Sequence, residues 1–439
     1  MKRVIYFFSI VFVVCQFSTF LMGQKTRNVV SGKVFDEQSR QVVPFAGLSI
    51  AGTTIGVVSN ENGEFELHLP ATTTPADSLV VSSIGYARTA FRISDIETPQ
   101  KFNVFIVPTA YFLSEIPILA SRLTAEEVIR KAIGRIPENY ITQPFMMDGF
   151  YREYFKENGN FAALAESAVS IYDGAGYGRV SEKTTKGKET VSLNEMRVSD
   201  INNKSNYVLY IDINYALRSN IVRNVDYWKR YLERYKYEVQ RLNIDSITYD
   251  NRDTVFCIGY KLNSRKYGSY EGRMFIRTGD YALLRVEINA LNFLKNREEN
   301  GAPYRSRAIF NYQEYKGKMY LNYINASHDV LFTENEQQYK LVFFSEMQIS
   351  NVQTEHVSPI PLGQVMDEKS IFYQPRYRTY NPEFWQSYNL FEDSEANDSI
   401  ISDLERQRAL ELQYRANGKL KINMTPIESE NIINSDIAK

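Results

Sequence analysis

From residue 29 to about residue 350 the chain repeats one pattern. Apolar and polar side chains alternate over short runs, and a turn built on Gly or Asn interrupts each run. In GEFELHLP, Phe65, Leu67 and Leu69 alternate with Glu64, Glu66 and His68. A period of two sends successive side chains to opposite faces, the signature of a strand with one buried face. The spacing therefore predicts that Phe65, Leu67 and Leu69 face a core while Glu64, Glu66 and His68 face water. Asn62-Gly63 just before them suits a tight two-residue hairpin, which needs positive φ at both central positions. TTIGVVS and EFELHLP are expected to flank that hairpin. Calcium is excluded there: with Gly63 at the fixed glycine of a calcium loop, Val58 and Leu69 fall where acidic ligands are required.

The same reading extends in both directions. VVSGKVFD, QVVPFAGLSIAG (with Pro44 at a strand start or edge), SLVVSSIGYART and FNVFIVP complete a set of short strands over residues 29–108. Such a set makes a β-sandwich. Further on, FMMDGFYREYFKENGNFAALAESAVSIYDG turns at Asn158-Gly159, and GRMFIRTGDYALLRVEINA turns at Gly279-Asp280. RAIFNYQEYKGKMYLNYINASHDV turns near Lys316-Gly317, and KLVFFSEMQIS follows. Consecutive hairpins predict a large up-and-down antiparallel sheet. The 31 tyrosines and 26 phenylalanines fit strands with one wet face. A Tyr-rich carbohydrate-binding surface is the other source of that composition.

Helical periodicity is sparse. LTAEEVIRKAIGRIPENY carries a capping box in Thr124 and Glu127, a staple in Leu123 and Val128, and one apolar stripe, Val128, Ile129, Ala132, Ile133 and Ile136. Pro137 is expected to stop it. NVDYWKRYLERYKY (224–237) and ISDLERQRALELQYRAN (401–417) are further helix candidates. Phe384, Trp385 and Tyr388 are placed to pin the tail to the sheet. The fold class is mainly β: a β-sandwich plus a larger antiparallel sheet with a few helices, an α+β chain.

At the N-terminus, Lys2 and Arg3 precede an apolar run from Val4 to Val14, the form of a secretory signal peptide over residues 1–23. An uncleaved anchor needs a span of about 20 apolar residues, longer than this run. Cys15 follows bulky Val14, where a lipoprotein signal wants a small residue. Cys257 then remains as one cysteine, so no internal disulfide forms, and a small buried side chain is its expected role. A formal charge of −1, from 51 basic and 52 acidic residues, offers no attraction for nucleic acid.

Two resemblances follow from these residues. SGKVFDE, VPFAGLSIAGT, GVVSNENGEFELHLP and DSLVVSSIGYA, in that order, resemble the carboxypeptidase-regulatory-like domain. This is a transthyretin-like sandwich of exported proteins in Bacteroidetes-type bacteria, often ahead of TonB-dependent receptors or other exported domains. The resemblance implies a fold and no catalytic residues. LTAEEVIRKAIGRIPENY with FMMDGFYREYF, GRMFIRTGDYALLRVEI and YNPEFWQSYNLFE is similar to exported Bacteroidetes-type proteins in which that sandwich precedes a domain of unknown function. Some larger relatives add an outer-membrane barrel, which is not expected here. GRMFIRTGDYALLRVEI is also similar, over one hairpin, to the open sheet of lipoprotein-carrier proteins that shield acyl chains. The expected organisation is a signal peptide (1–23), the sandwich (29–108), an antiparallel domain with accessory helices (123–395) and a C-terminal helix with a polar tail (396–439).

Little in the sequence carries chemistry. His68, His328 and His356 are scattered, and no HExxH, paired cysteine, GxSxG or GxxxxGK occurs. GAGYGR (174–179) lacks a strand-to-helix context, so a loop is expected rather than a nucleotide site. Ser327, His328 and Asp329 are adjacent on a strand and point to alternate faces, so they cannot form a triad alone. Glu166 and Asp173 do not identify a carboxylate pair, and KTTKGKE (183–189) reads as a solvated loop. No catalytic, cofactor-binding or metal residue is assigned. The expectation is a non-enzymatic, exported envelope protein, periplasmic or at the outer membrane or cell surface. It would bind or scaffold, holding an apolar or peptide ligand on strand faces that no helix covers. Its expected partners are an envelope protein, a peptide or a lipid, with no nucleic acid and no transmembrane span after signal removal. The alternatives are an envelope hydrolase with a site assembled from distant residues, or an outer-membrane-associated accessory protein.

Overall fold

The computed structural model describes residues 29–97, 99–109, 123–177, 189–199, 204–205, 213, 217, 220–223, 239–250, 253–264, 268–291, 303–366, 380–388 and 395–417. The described residues are mainly β, in three sheets. The two small sheets form the sandwich. One holds β4 (Glu64–His68), β1 (Val29–Asp36) and β7 (Val104–Ile106). The other holds β3 (Gly56–Val58), β2 (Gly47–Ile50), β5 (Ser78–Ser82) and β6 (Thr89–Arg92). Val34, Leu48, Leu67, Leu79, Val81 and Ile106 fill the space between them.

Three local expectations change here. β3 and β4 do not pair with each other; they lie in different sheets, so Asn62-Gly63 is a corner between layers and not a hairpin tip. Only Gly63 of the pair has positive φ, +73°. Asn60 organises the corner, its Oδ1 accepting from the amides of Asn62 and Glu64 at 2.9 Å. Glu64 and Glu66 are buried, at 4% and 5% exposure. Alternation gave their face correctly, but that face is covered and each carboxylate is compensated. Lys33 Nζ lies 3.1 Å and Asn60 Nδ2 2.8 Å from Glu64, and His68 Nε2 lies 2.6 Å from Glu66. SLVVSSIGYART is not one strand: β5 ends at Ser82, Gly85 bends the chain at φ +91°, and β6 begins only at Thr89.

The third sheet has ten strands. In chain order they are β8 (Phe145–Glu157), β9 (Asn160–Asp173), β10 (Glu189–Ser199), β11 (Val239–Asp250), β12 (Asp253–Ser264), β13 (Gly268–Arg277), β14 (Leu283–Leu291), β15 (Pro303–Tyr315), β16 (Lys318–Glu334) and β17 (Gln337–Gln353). All pairings are antiparallel, and the spatial order is β10-β9-β8-β17-β16-β15-β14-β13-β12-β11. The up-and-down expectation holds from β11 to β17 and fails once, where the first strand β8 zips against the last, β17. The Asn158-Gly159 and Lys316-Gly317 turns have positive φ at both residues, as two-residue hairpins require. At Gly279-Asp280 the left-handed residue is instead Tyr281. Among the described residues the sheet is open, β10 and β11 forming its ends.

The sheet's two faces are used differently. Across the front lie α1 (Ala125–Gly134) and α2 (Ile136–Asn139). The α1 N-terminus has the expected capping box, Thr124 with Glu127. The helix breaks at Arg135, before Pro137, which is accommodated in the first turn of α2. On the back sits the sandwich. Arg285 Nη2 donates to Phe45 O (3.0 Å), Gln348 Nε2 to Gly56 O (3.1 Å) and Thr54 Oγ1 to Asn351 Oδ1 (3.1 Å). Phe45 packs on Tyr323 with ring centroids 6.0 Å apart.

Beside the sandwich lie α3 (Pro382–Ser387), α4 (Glu395–Leu404) and α5 (Leu410–Asn417). The helix expected over 401–417 is thus two. Glu405 Oε1 caps the amide of Leu410 at 2.9 Å and Gln413 Nε2 donates to Leu404 O, which closes the bend between α4 and α5. Trp385 is buried against Phe150, and Tyr388 Oη donates to Gly149 O (2.7 Å), so the tail is pinned as expected. The candidate helix at 224–237 and the polar end after 417 lie outside the described residues.

A row of charges crosses the back. Register places Arg197, Glu166, Arg152 and Glu346 side by side on β10, β9, β8 and β17. Glu166 is bonded by Arg152 Nη2 at 2.7 Å and Arg197 Nε at 2.5 Å, and Trp385 lies 4.6 Å from the Arg197 guanidinium. Burial would push the Glu166 carboxyl up, but the two arginines hold it below the usual range. Glu166→Ala would leave two buried guanidinium groups without their shared carboxylate. We expect a loss of about 3–5 kcal/mol, read by denaturant unfolding. Burial holds the Glu346 carboxyl above the usual range, against the opposing effects of the Tyr323 hydrogen bond and of Arg152. A raised carboxyl stabilises below its unfolded pKa and loses that stability as pH rises through the folded one. Glu346→Gln, which can still accept from Tyr323, should raise the unfolding midpoint at pH 7 and lose that advantage on acidification.

Candidate functional site

Strand register defines rows of side chains running across the front. One row reads Gly272, Ile288, Ala308, Ala326, Ser345 and Glu153, from β13 to β8. It is flanked on one side by Tyr270, Ala290, Ser306, His328 and Phe343. On the other side stand Met274, Val286, Phe310, Ile324 and Met347. Ala308, Ala326 and Ser345 are small and partly exposed, whereas Phe310, Ile324 and Met347 beside them are larger and buried. Short side chains between long ones make a trough across β15, β16 and β17. Strands lie about 4.8 Å apart, so the floor from Ile288 to Glu153 runs about 19 Å. One end is closed where Tyr260 lies over Gly272, its hydroxyl donating to Glu287 O at 2.9 Å. At the other end Tyr151 Oη donates to buried Glu153 at 2.7 Å.

Next to the trough, beneath the helices, is a cavity of about 40 Å³. Ile129, Ala132 and Ile133 of α1 form its roof, with Met274, Ile276 and Leu283 as its floor. Its lining is apolar, the kind of cavity that stays dry. The expectation of strand faces left uncovered is therefore met only in part: α1 roofs the β13–β14 end. α2 is fastened there, Asn139 Nδ2 donating to Asp280 O (2.9 Å) and Tyr140 Oη to Leu283 O (2.8 Å).

Alternation separates the adjacent residues that sequence singled out. His328 faces the trough, while Ser327 and Asp329 face the back, where Asp329 lies 3.8 Å from Arg305. The partner of His328 is Ser306, with Oγ and Nδ1 2.6 Å apart. The 22-residue separation hid this pair, which only the β15–β16 register reveals. Nε2 has no carboxylate partner among the described residues, so no nucleophile–base–orienter set is assembled. Burial pulls the His328 pKa below its ordinary value, Asp329 opposing it weakly.

Glu166 and Asp173 stand on opposite faces. Asp173 pairs with Arg223, which also lies 2.9 Å from Glu189. Asp173 Oδ1 accepts from the amides of Ala175 and Gly176 at 2.9 Å, and Arg223 Nη1 donates to Gly176 O at 3.0 Å, so the described part of GAGYGR is a loop held by its neighbours. Cys257 is buried and forms no disulfide. Of the 183–189 run, only Glu189 lies within the described residues. Among those residues no three His, Cys, Asp or Glu side chains are grouped to hold a metal, and no helix is long and apolar enough to cross a membrane.

Residues 30–115 match the family model of the CarboxypepD_reg-like domain, so a regulatory-like sandwich precedes a second, larger domain. No curated protein matches the chain in sequence. Among solved structures it is similar to a putative outer membrane lipoprotein-sorting protein domain from Vibrio parahaemolyticus. The identity is 11% over 54% of this chain and 95% of that one, with a TM-score of 0.26. A LolA superfamily protein from Nitrosomonas europaea matches at 9% identity over 56% of this chain and 99% of that one, with a TM-score of 0.23. The MucA/MucB complex structure from Pseudomonas aeruginosa matches at 8%, over 53% and 99%, with a TM-score of 0.18. Scores of this size leave function to be argued from the chain's own residues.

A pH effect follows from His328. A base whose folded pKa is depressed contributes stability above its unfolded pKa, near 6.5, and loses it as pH falls through the folded value. Unfolding midpoints measured from pH 7.5 to 5 should fall less steeply in His328→Gln than in the wild type.

Proposed function

We propose that this chain is an exported cell-envelope protein that holds the apolar chain of a lipid on the front of its ten-stranded sheet. The observation that carries this reading is the trough over Ala308, Ala326 and Ser345, whose wall residue Met274 also lines an apolar cavity under α1. Partly exposed small residues between apolar walls are what a narrow, flexible hydrocarbon chain requires, and burying it is driven by area removed from water. The sandwich, fixed to the back, leaves the trough clear and supplies a separate surface for docking within the envelope. Periplasmic or outer-membrane-associated residence is part of the same proposal, as is the division into signal peptide, sandwich, sheet domain and tail.

The test is direct. Purified protein should bind a dansyl-labelled alkyl chain saturably, read by the blue shift and rise of its emission. Ala326→Leu, which fills the floor, should weaken that binding at least tenfold while shifting the unfolding midpoint little, since the added carbons enter a partly exposed space. No saturable binding by the wild type, or equal binding by the filled variant, refutes the assignment.

A further inference from the structure

We propose that Ser306 and His328 form a polar handle in the trough wall that recognises the carbonyl oxygen of an acyl ester or amide. This rests on the apolar-chain reading above and adds the chemical class of the head. Beside the pair the trough walls are carbon, Phe310, Ile324 and Met347 on one side and Phe343 on the other, while the polar groups of Ser345 and Glu153 lie toward the β17–β8 end. A polar pair placed in such a wall fixes which end of a chain-like ligand lies there. Ser306 Oγ and His328 Nδ1 are 2.6 Å apart, and the imidazole is partly buried. In this proposal Ser306 donates to Nδ1, so that Nε2 bears the proton, and Nε2 has no partner among the described residues. The handle is then an uncharged donor waiting for an acceptor.

Its neutrality selects the head. The side chains facing His328 from the neighbouring strands are Ser306 on β15, Phe343 on β17, and Ala326 and Val330 on β16 itself. None carries a charge, and Asp329 lies on the far face beside Arg305. A phosphate or an ionised carboxylate would enter this wall without a counter-charge and lose its hydration, which is costly. An ester or amide carbonyl needs one donor and brings no charge. The geometry therefore favours acyl chains joined through an ester or amide over free fatty acids of the same length.

Three probes separate the possibilities: dansyl-undecanoic acid methyl ester, its free acid, and dansyl-undecane without a head. The wild type should bind the ester at least fivefold more tightly than the headless chain, as expected for one hydrogen bond of about 1 kcal/mol. The free acid should bind more weakly than the ester at pH 8. His328→Ala should bring the ratio of ester to headless affinity from at least fivefold down to about one. His328→Gln, which restores a donor, should recover part of the preference, and Ser306→Ala should lose part of it. If the ester binds no better than the headless chain, or if His328→Ala weakens both equally, the handle is refuted while the apolar trough stands. If the headless chain fails to bind the wild type, the reading beneath it falls instead.

Discussion

The pairing of β8 with β17 is the seam on which the rest of the structure depends. Twelve cross-strand partners, from Leu341 opposite Glu157 to Gln353 opposite Met146, join the first strand of the large sheet to its last. Without that seam the sheet separates into three strands and seven. Both faces are organised about it. On the back, Arg152 of β8 meets Glu346 of β17, linking the charge row to the seam, and the sandwich bonds to Gln348 and Asn351 just beyond. On the front, Ser345 opposite Glu153 marks where the small-residue floor ends.

The two faces solve different problems with the same backbone. The back must accept two covering layers, and it does so with paired charges, tyrosine hydroxyls and aromatic stacking. Charges so placed are costly to desolvate and are kept by reciprocal bonding, as in Arg152–Glu166–Arg197. On the front the charges of Asp173, Arg223 and Glu189 are paired with one another, and the row from Met274 to Met347 carries no charge. The apolar rows there need only a helix, or a hydrocarbon, to exclude water from them. That division lets one sheet be a rigid platform behind and an adaptable surface in front.

Local signals were legible in the sequence and long-range ones were not. The strands, the capping box at Thr124, the turns at Asn158-Gly159 and Lys316-Gly317, and the tail anchor at Trp385 all follow from residues close together in the chain. Asn62-Gly63 misled because a turn motif reports a local bend and not which strands pair beyond it. Glu64 and Glu66 misled because alternation gives a residue's face but not what will cover that face. The trough and the Ser306–His328 pair depend on register across strands tens of residues apart. A list of small residues at Gly272, Ala308, Ala326 and Ser345 has no periodicity until the sheet is assembled. The β8–β17 seam was hidden for the same reason, since consecutive hairpins say nothing about where the first strand goes.

That seam has a consequence for biosynthesis. Contacts between residues so distant in the chain close slowly, because loop entropy is spent before the pairing rewards it. While a ribosome is still making the chain, β8 has no neighbour on one side until residue 353 has emerged. The large sheet therefore cannot close around a partial chain. The largest sheet is thus completed only when its last strand has been made.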